Sequence, residues 1–180
     1  MSLFDSIVKE TVGVLKTAGE SVAGAVDEAA AAYMKKVNRP TLTLESCRRN
    51  WKDERVFVAN DSYVAYTGVP EKATKTITLL NASNQPAALI GFGKRKIVTI
   101  SILDINFTFD LDFKKDGVLF SVEGLTVISR SERIIRIMND GTEAVEIRYK
   151  HGRWFVSYDE ERFSCLGAAV CVAVNKMRNP

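Results

Sequence analysis

The chain has 180 residues, 46% of them hydrophobic and 26% charged, and a net charge of +3. That length supports one domain with a sizeable core plus an appended segment, and the composition is that of a globular protein rather than a disordered or fibrous one. So mild a charge excludes a dedicated nucleic-acid binder, which concentrates a large basic excess on one face.

Residues 2 to about 36 read as helical, because Phe4, Ile7, Val8, Val12, Leu15, Ala18, Val22, Val26, Ala29 and Tyr33 recur at three- and four-residue steps. Ser2 and Asp5 resemble a capping box and Arg39-Pro40 a stop. Gly13, Gly19 and Gly24 each cost about 1 kcal/mol relative to Ala inside a helix, so the segment reads as one loosely held helix or two shorter ones. Acids and bases balance over residues 1–40, so the whole positive excess belongs to 41–180. A helix lying on a membrane needs a cationic polar face and large apolar anchors. This one is charge-balanced and rich in small residues, which favours packing on its own domain or on a second copy, giving a homo-oligomer. The domain division expected is 1–40, helical, and 41–180.

Beyond Pro40 the period changes from 3.6 to 2. Twelve strands are expected, at 42–47, 55–59, 62–68, 74–81, 86–93, 97–103, 105–113, 117–123, 125–129, 133–138, 143–149 and 153–158. Turn chemistry separates them, as at Asn84-Gln85-Pro86, Asp116-Gly117, Asn139-Asp140-Gly141 and His151-Gly152. Phe107, Phe109, Leu111 and Phe113 alternate with Thr108, Asp110 and Asp112, giving one dry face and one wet. A shift of 56 residues superimposes Phe57 on Phe113, Gly68 on Gly124, Leu79 on Ile135, Ala88 on Ala144, Leu89 on Val145 and Lys94 on Lys150. Two similar multi-stranded units closing on each other are implied.

The chain ends in an uncharged apolar run, Cys165 to Val174. Ten residues are too few to cross a bilayer, and periodicity alone leaves such a run open between a buried strand and a helix. As a helix it would be apolar on every face and would need protein all round it. Its small residues, Gly167, Ala168, Ala169 and Ala173, suit a slim rod inside a narrow tube. The fold class expected is therefore mainly β (α+β): a closed antiparallel barrel of about twelve strands enclosing a hydrophobic C-terminal helix, with an N-terminal helical segment.

The stretches Val56 to Asp61, Tyr63 to Gly68, Ile77 to Lys94, Val122-Glu123-Gly124, Ile134 to Lys150, Trp154-Phe155-Val156 and the apolar run to Val174 resemble the tubby C-terminal-like superfamily. The branch they resemble is the LURP-one-related one, which includes phospholipid scramblases. The resemblance implies a twelve-stranded barrel around a hydrophobic C-terminal helix. It also implies a non-enzymatic module, since tubby domains bind phosphoinositide headgroups through basic surface residues. The chain lacks the scramblases' acidic calcium-loop motif, and no tubby lipid-binding motif maps onto it residue by residue.

Catalysis has few candidates. His151, the single histidine, sits in the turn Lys150-His151-Gly152-Arg153. Asp104, Asn106, Asp110 and Asp112 are spaced along one strand face and point to water instead of converging on a metal. Gly91-Phe92-Gly93 opens into another strand, which rules out a dinucleotide loop. Cys165 and Cys171 have no cationic neighbour in sequence to activate them and read as core. Three cysteines without a pairing framework fit a reducing compartment. Asp5 and Glu10 stand where a secretory signal would be basic and then apolar. The location expected is cytoplasmic, with peripheral membrane contact.

Two basic groups, Lys94-Arg95-Lys96 and Arg148, Lys150 and Arg153, fall at matching places in the 56-residue register, each at a strand end beside a turn. Either could hold a phosphate, arginine by its planar fork and lysine as a point charge, although solvated turns explain them as well. A third group comprises Arg130, Arg133 and Arg136, with Arg133 placed to pair with Glu132 or Glu143. The function expected is a binding module without cofactor, metal or nucleic-acid partner, directed at an anionic phospholipid headgroup or a protein. A pleckstrin-homology-like adaptor is the first alternative; its closing helix would be amphipathic. An enzyme or small-ligand binder using the barrel interior is the second, and a polar, water-filled cavity would mark it.

Overall fold

The computed structural model describes residues 34–45, 55–59, 63–114 and 117–178, together with Ala31. The chain divides into two compact units, Met1–Arg39 and Pro40–Pro180. In the first, a helical turn at 34–37 is described. The leading helix expected over 2–36 therefore lies almost wholly outside the described residues, as does Cys47.

The second unit carries twelve strands: β1 Thr41–Glu45, β2 Arg55–Ala59, β3 Tyr63–Glu71, β4 Thr76–Asn81, β5 Pro86–Phe92 and β6 Ile97–Ile102. The others are β7 Phe107–Asp112, β8 Val118–Val122, β9 Leu125–Ser131, β10 Ile134–Asn139, β11 Thr142–Lys150 and β12 Arg153–Tyr158. A 3-10 turn, Glu161–Phe163, leads into helix α1, Ser164–Arg178. The apolar tail is thus a helix. The strands form because β-branched and aromatic residues alternate with polar ones. Leu42 and Leu44 in β1, Ile77 and Leu79 in β4, Val98 and Ile100 in β6, and Trp154 and Val156 in β12 all turn inward and are buried.

Every pairing is antiparallel, in the order β7-β6-β5-β4-β3-β2-β1-β12-β11-β10-β9-β8. Consecutive strands reverse, so the connections alternate between two ends. One end holds the turns β3–β4, β5–β6, β9–β10 and β11–β12 and the connection β7–β8. The other holds β4–β5, β6–β7, β8–β9, β10–β11 and the entry to α1. The 56-residue register reappears in the backbone. Arg95 and Lys96 have φ of 61° and 62°, and their counterparts His151 and Gly152 have 51° and 78°; Asn84 at 59° corresponds to Asp140 at 47°.

The expected closed ladder is not found. β7 and β8 are the two edges of the sheet, and among the described residues they share no backbone pairing. They meet instead through aromatic side chains. The ring centroids of Phe109 and Phe120 are 4.8 Å apart and those of Phe107 and Phe120 6.4 Å. β8 is short, and its ladder to β9 is irregular between Val118 and Phe120. Rings fill the place where a further row of hydrogen bonds would close the sheet, and the result is a seam.

Residues 164–175 of α1 are all buried, and the helix packs on β5 and β6 as well as on β11 and β12, from opposite halves of the sheet. Both ends are pinned by polar pairs. The hydroxyls of Tyr66 and Ser164 lie 2.7 Å apart, and the indole N–H of Trp154 donates to Asn175 Oδ1 at 3.0 Å. The fit is close on the β11–β12 side: a Cβ on Gly167 would come within 2.7 Å of Val156 Cγ1 and 3.0 Å of Val145 Cγ1. Gly167→Val should therefore lower stability in urea by about 3 kcal/mol, the upper part of the usual overpacking range. An unchanged midpoint would mean that α1 does not run against these strands.

Candidate functional site

Charge is sorted along the strands. The end that receives the C-terminus of α1 carries Lys72 and Lys75 on β3–β4, Lys94, Arg95 and Lys96 on β5–β6, and Lys114 after β7. Arg130, Arg133, Lys150, Arg153, Lys176 and Arg178 join them there, against Glu45, Glu71, Asp112 and Glu132. At the other end, around the N-terminus of α1, stand Asp104, Glu123, Asp140, Asp159, Glu160 and Glu161, together with Arg162. This polarity complements the helix macrodipole, whose negative pole is at the C-terminus; each favourable charge near a helix end contributes about 0.3–1 kcal/mol.

Both sequence-predicted basic groups fall at this basic end, but on opposite halves of the sheet, with β4, β3, β2 and β1 between the two hairpins. Lys94 to Ile97 is a two-residue hairpin turn closed by the Ile97 amide donating to the Lys94 carbonyl at 3.4 Å. Arg95 and Lys96 are both left-handed, a conformation that suits Asn-Gly and costs non-glycine residues on the order of 1 kcal/mol each. Lys94, Arg95, Lys96 and Lys150 form no ion pair with another described residue. Arg148 and Arg153 do. Arg148 donates to Glu146 at 2.7 Å, and Arg153 lies 3.6 Å from Glu45. In the third group it is Arg136, not Arg133, that meets Glu143, at 2.8 Å, while Arg133 lies over the Tyr149 ring.

Sequence reasoning did not single out the position where these charges are best organised. A cleft of about 530 Å3 opens where the seam reaches the basic end, lined by Lys96, Phe113, Arg130, Glu132 and Arg178 among others. Arg178, on the last turn of α1, is fixed there. It donates to the Ser131 carbonyl and to Ser129 Oγ, both at 2.8 Å, and its guanidinium lies over the Phe113 ring at 5.7 Å. No carboxylate of the described residues is within ion-pair distance, although Glu132 shares the cleft. Burial pulls the Arg178 pKa below its ordinary value, and the nearby Glu132 carboxylate partly opposes this. A preorganised cation without a carboxylate partner among the described residues, beside Lys96 and Arg130, can hold an anion by charge-assisted hydrogen bonds.

The other polar candidates are engaged locally. Asp110 accepts from the Thr99 hydroxyl at 2.6 Å, Asp112 from the Lys114 amide and Asp104 from the Ile105 amide. Cys165 and Cys171 are buried and in no disulfide. Among the described residues no helix is long and apolar enough to cross a membrane, and no group of three or more His, Cys, Asp or Glu side chains converges as metal ligands.

No family model matches the chain, and no curated protein matches it. A crystal structure of a protein from Arabidopsis thaliana superposes on it with a TM-score of 0.52 at 10% identity, over 74% of this chain and 88% of that one. The likeness is therefore one of fold.

Burial also perturbs groups around the N-terminus of α1. It raises the Cys165 thiol from 9.0 to about 12, helped by Asp104, and the Tyr66 phenol from 10.0 to about 12. Tyr158 is raised as well, by burial first and then by Glu161. Each group is neutral when protonated, so the folded state holds its protons more tightly than the unfolded chain. Their stabilising effect is complete below about pH 9 and is lost as pH rises towards 12. Urea midpoints should be flat from pH 7 to 9 and fall steeply above it, and Tyr66→Phe should make the fall shallower. A midpoint that holds to pH 11.5 would contradict this burial.

Proposed function

We propose that the protein is a non-enzymatic binding module of the tubby-like or LURP-one-like kind that docks its basic end on an anionic phospholipid surface, with a headgroup phosphate seated in the Arg178 cleft. The observation that carries this reading is Arg178 itself, a partly desolvated guanidinium aimed into a cleft with Lys96 and Arg130 and left without a carboxylate partner. Arg95, Lys94 and Lys150 stand on turns of the same rim and add attraction over a Debye length. Arg148 and Arg153 are spoken for by Glu146 and Glu45 and contribute less. The fold reading that accompanies it is a sheet curled into a tube whose side-chain seam stands in for the last row of hydrogen bonds. With α1 in the middle, the outer surface and the two ends are left for partners.

Each basic residue near an anionic surface contributes about 1 kcal/mol. Co-sedimentation with phosphatidylcholine vesicles containing phosphatidylserine or a phosphoinositide should therefore be strong at low salt and weaken as salt rises. Lys96→Glu with Arg130→Glu should weaken it by on the order of a hundredfold, and Arg148→Glu by much less. Binding that ignores both anionic lipid and these substitutions removes the reading.

The strained turn supplies an independent test. Replacing Arg95-Lys96 by Asn-Gly should raise stability by about 1 kcal/mol or more while weakening vesicle binding. Variants that gain stability at no cost in binding would show that the turn's side chains have no part in docking.

A further inference from the structure

We infer that the acidic end carries a second docking site, a groove for a polypeptide segment of a partner protein that presents apolar side chains flanked by lysine or arginine. This inference does not depend on lipid binding at the basic end. The groove, about 550 Å3, opens where the seam between β7 and β8 reaches the acidic end. The β6–β7 turn forms one wall and the β8–β9 turn the other, and Phe163 and Leu166 lie at its base.

Its margin is unusually apolar for a set of turns. Ile105 is 66% exposed, more than any other large apolar side chain among the described residues, and Val122 is 49% exposed. The fold does not ask for either. The β6–β7 turn is held by the Ile105 amide donating to Asp104 Oδ1 at 3.0 Å and the Asn106 amide to the Leu103 carbonyl at 3.4 Å, so a polar side chain at 105 would serve it equally well. Exposed apolar groups around a concavity are the usual mark of an interaction surface. The opposite wall is braced, since the Asp140 amide donates to the Gly124 carbonyl at 2.7 Å. The groove is therefore formed before anything enters it.

Charge selects the occupant. Asp104, Glu123 and Asp140 line the groove, and none is in an ion pair with a described residue. Its one base, Arg162, is held by Glu160 at 2.9 Å and lies over the Phe163 ring. An acyl chain or a neutral small molecule would leave three carboxylates unanswered, whereas lysine or arginine on either side of an apolar anchor would meet them. A concavity of this size takes in a few side chains, not a folded surface, which points to an extended segment.

The test uses the full chain and a fluorescein-labelled octapeptide of alternating lysine and leucine, with glutamate-leucine and lysine-serine peptides as comparisons, read by fluorescence anisotropy. The lysine-leucine peptide should bind saturably at one site and shift amide resonances of residues 102–107 and 122–125. Ile105→Ser with Val122→Ser, and separately Glu123→Lys with Asp104→Asn, should each weaken it by about tenfold or more. All four positions are on the surface, and an unchanged urea midpoint confirms that the variants fold. Equal binding of the glutamate-leucine or lysine-serine peptide, indifference to both pairs of substitutions, or resonance shifts confined to the basic end would overturn the inference. A doubling of mass that displaces the peptide would also overturn it, because the groove would then belong to a second copy of the chain.

Discussion

A helix with no polar face needs protein packed against it on every side. From Cys165 to Val174 every side chain of α1 is apolar and buried, so each direction around its axis must be occupied by protein. Antiparallel strands turn Leu, Ile, Val and Trp inward, and the helix packs on β5 and β6 in one half of the strand order and on β11 and β12 in the other. Because the rod is built from Gly, Ala, Val and Cys, the inner space is narrow. The valine methyls of β11 and β12 already occupy the position a Cβ on Gly167 would need.

That constraint orders the rest of the molecule. The helix enters at one end of the strands and leaves at the other, so its dipole lies along them and each end favours charge of one sign. The ends follow suit, with Glu160 and Glu161 ahead of the helix and Lys176 and Arg178 on its last turn. The ladder stops at β7 and β8, and two concavities sit at opposite ends of that seam, one basic and one acidic with an apolar margin.

Much of this architecture could be read from the sequence because it depends on local patterning. Period-2 alternation gave all twelve strands, with boundaries shifted by up to three residues, the largest at the end of β3, and the 56-residue register marked two hairpin turns whose backbones do match. The seam could not be read this way. Phe107, Phe109 and Phe120 look like ordinary inward residues, and only the tertiary structure shows their rings taking the place of a hydrogen-bonded pairing. The candidate residues divide along the same line. Lys94, Arg95, Lys96 and Lys150 were visible as turn residues, whereas the engagement of Arg148 by Glu146 depends on how neighbouring outward side chains meet. Arg178 had one signal in the sequence, a base four residues past the end of a run that must be buried. Its partners Ser129 and Ser131 lie far away in the chain and had none.

Amide hydrogen exchange followed by NMR on the intact chain tests the central claim most directly. If the strands surround α1, the amides of residues 168–174 exchange only through global unfolding, as slowly as the best-protected strand amides, with an opening free energy equal to that from urea melts. Helix amides that exchange through a local opening, several kcal/mol below the global value, would show that the tail lies on a flank of the sheet and would contradict the account.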